Sequence, residues 1–326
     1  PQGEMPTAAI TDEMLLPGDG QIKALICVGG NPLLAWPDQE KTLAALSGLD
    51  LLVCIDIKLG ATVELADYVL APKICLERED VTLLTDIWHD QAYSHYTPSV
   101  VEAEGDKIEE WEFYWGVGRR MGLAMSLENG PIDTDQKPTK FDLLNTITAG
   151  SRVPLEKIRQ SNGGTVFTDL DVIIEAADPA THGHLDLFPA GVHDELAAAY
   201  RDMRETASDE NSHLLVSRRM KNTYNSTGPE LSLLKSKGTT NPAFIHPQDL
   251  AAMGITDGEV IEEYSAHGRI PAGAAASDDI KSGVISMAHC WGGSPEPASD
   301  CDARVREMGS NTNRLIDNRQ QAEKYS

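Results

Sequence analysis

Residues 22–32 read IKALICVGGNP, and this stretch decides the fold of the first part of the chain. An apolar run that ends in two glycines and Asn-Pro is typical of a buried strand that leads into a tight turn. Further apolar runs follow at 51–57 and 68–70, with helical patterns at 39–47 and near 62–65 between them. Strands that alternate with helices in this way predict an α/β domain with a doubly wound, parallel sheet.

The sequence pattern changes twice in the remainder of the chain. A helical pattern at 109–121 completes the first part, and scattered prolines with weak periodicity from 131 to 205 then predict a connector. Short apolar runs between turns follow, at 214–216, 259–264, 268–274 and 284–288. They predict a small β-barrel. We therefore expect an α/β dinucleotide-binding domain at 1–130, a connector at 131–205 and a β-barrel domain at 206–326.

The composition restricts the classes of partner. With 27 Lys and Arg against 51 Asp and Glu, the formal net charge is −24. Long-range repulsion then opposes nucleic acids and anionic membranes as partners. A small anionic cofactor is compatible with this charge, because backbone N–H groups and a few local arginines can bind a diphosphate.

The targeting signals and the ends of the chain lead to two further expectations. No apolar run reaches the roughly 18 residues of a membrane span. No basic and apolar leader opens the chain, but this absence is uninformative when a segment precedes Pro1. We expect a cytoplasmic protein, with a signal in a preceding segment as the open alternative. The first residue is Pro1 in loop-like sequence, so we expect a preceding segment, and both ends resemble truncations.

The cysteines do not have metal-site spacing. None of the five forms the C-x-x-C pair that is usual in iron–sulfur and zinc sites; they are Cys27, Cys54, Cys75, Cys290 and Cys301. We therefore expect no metal ligand in this chain. Cys27 and Cys54 lie inside apolar strand runs, which predicts buried thiols.

Four residues in the first part have side chains or backbone suited to binding a nucleotide. Gly30 and Asn31 lie in the turn after the first strand, where the backbone can approach a ligand closely or merely form a tight turn. Asp56 ends the second strand, where an acid can accept hydrogen bonds from a ribose or a base, or can simply be solvated. Thr62 can cap the next helix or contact the same nucleotide.

A second group of candidates follows the strand at 214–216. Ser217, Arg218 and Arg219 come directly after this strand, and Asn225 follows them. Guanidiniums offer forked donors to phosphate oxygens, so this group suits a pyrophosphate and a pterin. A solvated basic turn is the alternative interpretation.

The order of these motifs resembles the C-terminal part of molybdopterin-dependent oxidoreductases of the dimethyl-sulfoxide-reductase and formate-dehydrogenase-like type. Residues 22–38 and 51–72 are similar to that family's strand, G-x-N-P turn, strand ending in Asp, and A-D-x-V-L-P run. Residues 241–270 resemble its H-P-x-D-A-x-x-L-G-I-x-D-G-D-x-V run. Residues 283–293 resemble its G-x-V-x-x-x-H-G-W-G run, with Cys290 where glycine is common.

The resemblance implies a double-psi-like form for the small barrel, a cofactor and a set of contacts. The cofactor is bis(molybdopterin guanine dinucleotide) with molybdenum or tungsten, bound as part of an oxidoreductase. Gly30, Asn31, Asp56 and Thr62 are implied to line the site of one guanosine. The implied contacts from the second part are Asn241, His289, Trp291, Gly292 and Asn313, the last to the pterin.

The resemblance also implies which functional groups lie in preceding domains and which partners the chain has. The metal's protein ligand, the catalytic residues and any iron–sulfur cluster are expected in preceding domains, so the chain alone is expected to be inactive. The expected partners are the bound cofactor and the N-terminal half of the same enzyme.

Two other functional classes remain open on the sequence. A fragment of a thiamine-diphosphate or nicotinamide enzyme would show similar glycine turns and strand-end acids. A free-standing cofactor-carrier module would bind the dinucleotide without turnover.

Overall fold

The computed structural model describes residues 4–83, 88–161, 163–171, 188, 191–206, 213–235, 240–295 and 302–318. The fold is mixed α/β and divides into two compact units. Unit 1 comprises Pro1–Cys54, Lys58–Tyr68 and Leu185–Ser326, and unit 2 comprises Ile55–Ile57 and Val69–His184. The three-part domain division stays a prediction, since these units divide the chain at other points.

The first part of unit 1 builds most of a three-stranded sheet. Its elements, with the last strand running into unit 2, are α1 (Thr7–Leu15), β1 (Ala24–Val28), α2 (Pro32–Ala35), α3 (Gln39–Ser47), β2 (Leu51–Ile55), a 3-10 helix (Val63–Leu65) and β3 (Tyr68–Leu70). The strand order is β1-β2-β3. The structure confirms the predicted helix at 39–47 and the strand at 68–70, and the short helix near 62–65 is a single 3-10 turn.

Hydrogen bonds at the strand ends give the direction of this sheet. Leu51 N donates to Lys23 O at 3.2 Å, where β1 and β2 both begin, and Asp56 N donates to Leu70 O at 3.2 Å, where β2 and β3 both end. Neighbouring strands therefore begin at the same edge of the sheet and end at the same edge, so they are parallel. Cys27 and Cys54 are buried in the core of this sheet, which confirms the predicted buried thiols.

Unit 2 has a core of its own. Its elements are β4 (Asp80–Val81), β5 (Tyr93–Ser94), β6 (Tyr96–Thr97), α4 (Glu110–Arg120), β7 (Met125–Leu127), β8 (Gly130–Ile132), α5 (Lys140–Ile147), α6 (Leu155–Arg159) and β9 (Thr165–Val166). The strands form three antiparallel pairs, β4 with β6, β5 with β9, and β7 with β8.

Part of the predicted connector belongs to this core. Leu144, Leu155, Ile158 and Phe167 are buried together with Val81 and Tyr96. The described residues between 131 and 171 are therefore more regular than the sequence pattern indicates. Elements of two to eight residues are too short for their periodicity to be read from the sequence.

The rest of unit 1 contains a mixed five-stranded sheet. Its elements are α7 (Val192–Thr206), β10 (Leu214–Arg218), α8 (Ser232–Lys235), β11 (Ala243–Ile245), α9 (Pro247–Met253), β12 (Val260–Tyr264), β13 (Arg269–Ala276), β14 (Val284–Ala288), α10 (Asp302–Met308) and a 3-10 helix (Thr312–Leu315). The order is β10-β14-β11-β13-β12. The pairs β10·β14 and β11·β13 are parallel, and β11·β14 and β12·β13 are antiparallel.

The segment around α9 follows its local sequence signals. His246 caps the helix, its Nδ1 accepting from Gln248 N at 3.2 Å, and Pro247 is the first helical residue. Gly254 ends α9 with φ 71°, a left-handed conformation that glycine adopts without steric cost. Leu250 of α9 packs in a hydrophobic core that also includes Ile245, Ile270 and Met287. None of the described helices has the length and apolar composition of a membrane span.

Cys290 has backbone geometry that favours glycine. It follows β14 with φ 63°, and its side chain is buried. A left-handed conformation costs an ordinary residue about 1–2 kcal/mol. This geometry explains why a glycine suits the position.

We predict that Cys290→Gly is more stable than Cys290→Ala by about 1 kcal/mol. Both variants lose the buried thiol, but only glycine removes the backbone strain. Urea unfolding of the two variants measures the difference. Equal stabilities, or a more stable alanine variant, would show that the left-handed conformation does not strain this position.

Candidate functional site

The parallel pair β10·β14 brings three predicted residues together at its carboxyl end. Ser217 lies opposite Met287 in the ladder, and His289 comes directly after β14. Ser217 Oγ is 3.3 Å from His289 Nδ1, and Arg219 Nη1 is 3.3 Å from His289 Nε2. Asn225 completes the group, since its Oδ1 accepts from Arg219 Nη1 at 2.8 Å. We call Ser217, Arg219, Asn225 and His289 the histidine cluster.

The protonation state of His289 follows from its surroundings. Burial, and then the charge of Arg219, hold the pKa of His289 below its usual range, so the ring is neutral at pH 7. A guanidinium has only donors, so Nε2 accepts from Arg219. Nδ1 then carries the proton and donates it to Ser217 Oγ. The positive charge of the cluster therefore rests on Arg219, which is exposed.

Arg218 does not belong to this cluster. Its guanidinium donates to Ser286 O and, at 2.9 Å, to Pro242 O, and it stacks on the ring of Phe244 at 3.7 Å. Burial lowers the pKa of Arg218 to about 10. Successive residues of a strand face opposite sides of its sheet, so the two arginines do not form the paired site that their sequence suggests.

The turn after β1 is shaped for close approach to its backbone. Gly29 has φ 58° and is exposed, while Gly30 is half-buried. A Cβ on Gly30 would lie 3.3 Å from Cys27 Sγ, and that thiol donates to Gly30 O at 3.4 Å. The two glycines therefore allow a turn that a larger residue at either position would disturb.

Thr62 and Asn31 hold the start of α2. Thr62 is fully buried; its hydroxyl donates to Asn31 Oδ1 at 2.8 Å and accepts from Leu33 N at 3.0 Å. Thr62 was predicted either to cap its own helix or to touch a nucleotide. Its hydroxyl instead satisfies a backbone donor of α2.

Asn313 reaches the same helix from the end of the chain. Asn313 Nδ2 donates to Leu34 O at 3.0 Å, and Asn311 Nδ2 donates to Leu33 O at 3.4 Å. Two motifs about 280 residues apart, the G-G-N-P turn and the late asparagine run, therefore meet at α2. We did not predict Asn311, although it lies two residues before Asn313 in the same run.

Three further predicted residues are held inside the fold. Asn241 is buried, its amide donating to Ala288 O at 2.7 Å and Ser310 O at 2.8 Å and accepting from Ser310 N at 2.9 Å. Trp291 is buried as well. Gly292 has φ 79°, and a Cβ there would lie 3.1 Å from Asn311 N. Packing therefore accounts for each of these residues.

Contacts link the turn after β1 to the histidine cluster within unit 1. Gly60 lies against Asn31, a Cβ there being 3.1 Å from Asn31 Nδ2. Lys58, two residues earlier, donates to Ser226 O at 2.8 Å. Ser226 follows Asn225 of the cluster. The turn after β1 and the histidine cluster therefore lie on neighbouring loops of unit 1, whereas Asp56 belongs to unit 2.

Asp56 follows β2 directly and is half-buried, as a strand-end acid should be. Its backbone N–H donates to Leu70 O within unit 2.

A cavity of about 820 Å³ lies beside the five-stranded sheet. Ser217, His289 and Asn313 line it, together with apolar side chains that include Leu215, Ile261, Ile285 and Met287. A second cavity, of about 330 Å³, lies in unit 2 and contains none of the predicted residues.

Glu263 is a polar residue of the larger cavity that we did not predict. Its side chain is buried, and Oε1 has no hydrogen-bond partner among the residues that the structure describes. Burial raises the pKa of Glu263 to about 7. The signal available in the sequence was a glutamate two residues after Ile261, on the face of the strand that Ile261 occupies.

Comparison with known proteins finds one family over both ends of the chain. The model described as "Molybdopterin oxidoreductase" matches residues 3–119, and the model described as "Molydopterin dinucleotide binding domain" matches residues 214–324. The F420-dependent formate dehydrogenase 1 subunit alpha of Methanococcus maripaludis is 25% identical over 287 residues, which cover 84% of this chain and 39% of that protein.

Two further relatives have other activities in their names. The trimethylamine-N-oxide reductase of Haemophilus influenzae is 21% identical, over 86% of this chain and 38% of that protein. The structure of acetylene hydratase from Pelobacter acetylenicus has a TM-score of 0.68 at 20% identity, and the match covers 95% of this chain and 43% of that one. The chain thus spans about two fifths of the length of these relatives.

We predict that Thr62→Val lowers the free energy of unfolding by about 2 kcal/mol or more, because Leu33 N and Asn31 Oδ1 lose a partner in a buried position. Thr62→Ser keeps the hydroxyl and loses one methyl group, so it should cost about 1 kcal/mol. Urea unfolding of both variants measures the costs. A smaller loss for valine than for serine would contradict the role of the hydroxyl in holding α2.

We predict that Glu263 makes the folded state less stable as the pH rises. The folded pKa of about 7 lies above the ordinary 4.5, so the folded chain holds a proton in this interval that the unfolded chain has released. Relative to Glu263→Gln, the wild type should lose up to about 3 kcal/mol between pH 4.5 and 8. Denaturant unfolding of both proteins across this range gives the difference. A difference that does not change with pH would contradict the raised pKa.

Proposed function

Because the chain belongs to the molybdopterin oxidoreductase family, we propose that unit 1 binds a molybdopterin guanine dinucleotide as part of an oxidoreductase. The observation that carries this proposal is that the turn after β1 and the histidine cluster lie on neighbouring loops of unit 1. Family membership favours this cofactor over the thiamine-diphosphate and nicotinamide alternatives. It also favours an enzyme over a free-standing carrier module.

The donors of the histidine cluster fit the diphosphate of such a cofactor. Within the described residues, Arg219 uses only Nη1 in hydrogen bonds, so the donors on Nε and Nη2 have no partner there. Forked guanidinium donors match phosphate oxygens. In a chain of net charge −24, a local cation is needed to hold an anionic group. Arg219, with Ser217 and the Asn225 amide, would bind the diphosphate.

The turn at Gly29, Gly30 and Asn31 fits the second requirement, which is a backbone close to the ligand. Exposed glycine N–H groups at the end of a parallel strand can reach a nucleotide where a side chain would block it. We propose separately that Asp56, which comes directly after β2 in the sequence, recognises a guanine base.

The other predicted residues act as positioning residues in this proposal. Thr62 and Asn313 hold α2 and thereby the turn that precedes it. Asn241, Trp291 and Gly292 fix the loop that carries His289. Arg218 braces the five-stranded sheet from its other face.

The bound cofactor would supply the redox chemistry through molybdenum or tungsten, while this chain binds and orients it. A second dinucleotide, any iron–sulfur cluster, the metal's protein ligand and the N-terminal half of the enzyme belong to the same proposal. The relatives are named for formate, trimethylamine-N-oxide and acetylene, so one fold serves different substrates. We also propose that the five-stranded sheet forms the wall of the predicted double-psi-like barrel, and that the first sheet is doubly wound.

We predict that Asp56→Ala weakens GMP binding about ten-fold or more and leaves AMP binding nearly unchanged. Guanine offers N1–H and an amine on one edge to an acceptor-only carboxylate, and each such bond contributes roughly 1.5–3 kcal/mol, whereas adenine has no such edge. Calorimetric titration with both nucleotides measures the affinities.

Asp50→Ala is the matched control, because Asp50 is an exposed acid at the opposite end of β2. It should bind both nucleotides like the wild type. Equal losses of GMP and AMP in Asp56→Ala would assign Asp56 to the ribose and refute the guanine assignment. A wild type that binds neither guanine nucleotides nor pterins would contradict the proposed function itself.

A further inference from the structure

Glu263 is an acid in an apolar wall. It lies on β12 opposite Ile270 of β13, which is fully buried, and its own side chain is 7% exposed. The apolar residues that line the same cavity include Ile245, Ile261 and Met287. Burying a carboxylate without a partner is unfavourable, so the position calls for a function other than packing.

The other titratable groups around this cavity do not satisfy Glu263. They are His213, Glu262, Tyr264 and His289. His213 pairs with Asp249 at 3.6 Å, Glu262 pairs with Arg269 at 3.4 Å, and His289 bonds within the histidine cluster. No lysine or arginine in the described part of the chain forms an ion pair with Glu263.

The cavity suits a flat heterocycle with donors on one edge. Its volume of about 820 Å³ is that of an ordinary small-molecule site, and its apolar walls can cover the faces of a ring. An ionised carboxylate only accepts hydrogen bonds, so it matches two adjacent N–H donors. The 2-amino-4-oxopyrimidine edge carries such a pair, and Ser217, His289 and Asn313 offer polar contacts to the rest of the molecule.

We infer that this cavity binds the 2-amino-4-oxopyrimidine edge of a heterocycle, with Glu263 as its acceptor. The inference rests on the proposed function, because that cofactor carries the edge twice, in its pterin and in its guanine. The pterin and the guanine offer the same hydrogen-bond donors, and binding experiments with a compound of each kind separate the two.

The experiment titrates the purified chain with 2-amino-4-hydroxypteridine and, separately, with GMP at pH 8. Pteridine fluorescence and calorimetry report the affinities, and AMP is the probe that lacks the edge. Glu263→Gln keeps the volume of the side chain but replaces one acceptor by a donor. We expect it to weaken binding of the pteridine ten-fold or more. Glu13→Gln removes an exposed glutamate of α1 and should bind like the wild type.

The pH dependence identifies the group. Pteridine affinity of the wild type should fall as the pH is lowered from 8 to 5.5, because the carboxyl takes up a proton. In Glu263→Gln the pteridine affinity should not change with pH over this range. The variant retains His213, Glu262, Tyr264 and His289, so a slope that disappears belongs to Glu263.

The outcomes separate the inference from the proposed function. Weaker GMP binding, with the pteridine unaffected, would support the inference and assign the edge to guanine. Wild type and Glu263→Gln binding both probes equally would overturn the inference and leave the proposed function standing. A wild type that binds neither probe would contradict both.

Discussion

A helix of four residues has too few internal hydrogen bonds to be stable alone, and the site depends on one. α2 is held by three side chains from two distant parts of the sequence: Thr62 accepts from Leu33 N, and Asn311 and Asn313 donate to Leu33 O and Leu34 O. The turn at Gly30 and Asn31 takes its position from this helix. Without these bonds, the backbone that is proposed to meet the nucleotide would have no fixed geometry.

The second constraint is electrostatic. An acidic chain needs positively charged side chains at the place where an anion binds. The alternation of side chains along β10 decides which arginine is available there. Alternation along β10 turns Arg218 into the sheet, where Pro242 O and the Phe244 ring receive it. Arg219 faces the loops instead, beside a neutral His289 that does not add a competing charge. One guanidinium thus braces the fold and its neighbour remains for a ligand.

Much of the fold could be read from local signals. The helix at 39–47, the strand at 68–70 and the end of α9 at Gly254 follow from periodicity and turn chemistry, which act over a few residues. The residues of the candidate site could be named because short motifs occur in a recognisable order, and their contacts with a cofactor stay a prediction. Their roles were harder to assign. Whether Thr62 or Asn241 faces a ligand or the backbone depends on partners 30 to 70 residues away. Glu263 was missed because a charged residue in a strand is ordinarily solvated, although it shares the face of Ile261 and is buried in the structure.

The bonds to α2 also have a consequence for synthesis on the ribosome. Leu33 and Asn311 are 278 residues apart, so α2 lacks its carbonyl partner from Asn311 until 278 further residues have been made. At translation rates of 5–20 residues per second, that interval is roughly 15 to 55 s. During it, the apolar residues Leu33 and Leu34, buried in the finished protein, have no permanent cover from the late segment. A nascent chain of this kind is exposed to aggregation for tens of seconds, and chaperones that shield apolar segments near the ribosome exit would act on this interval.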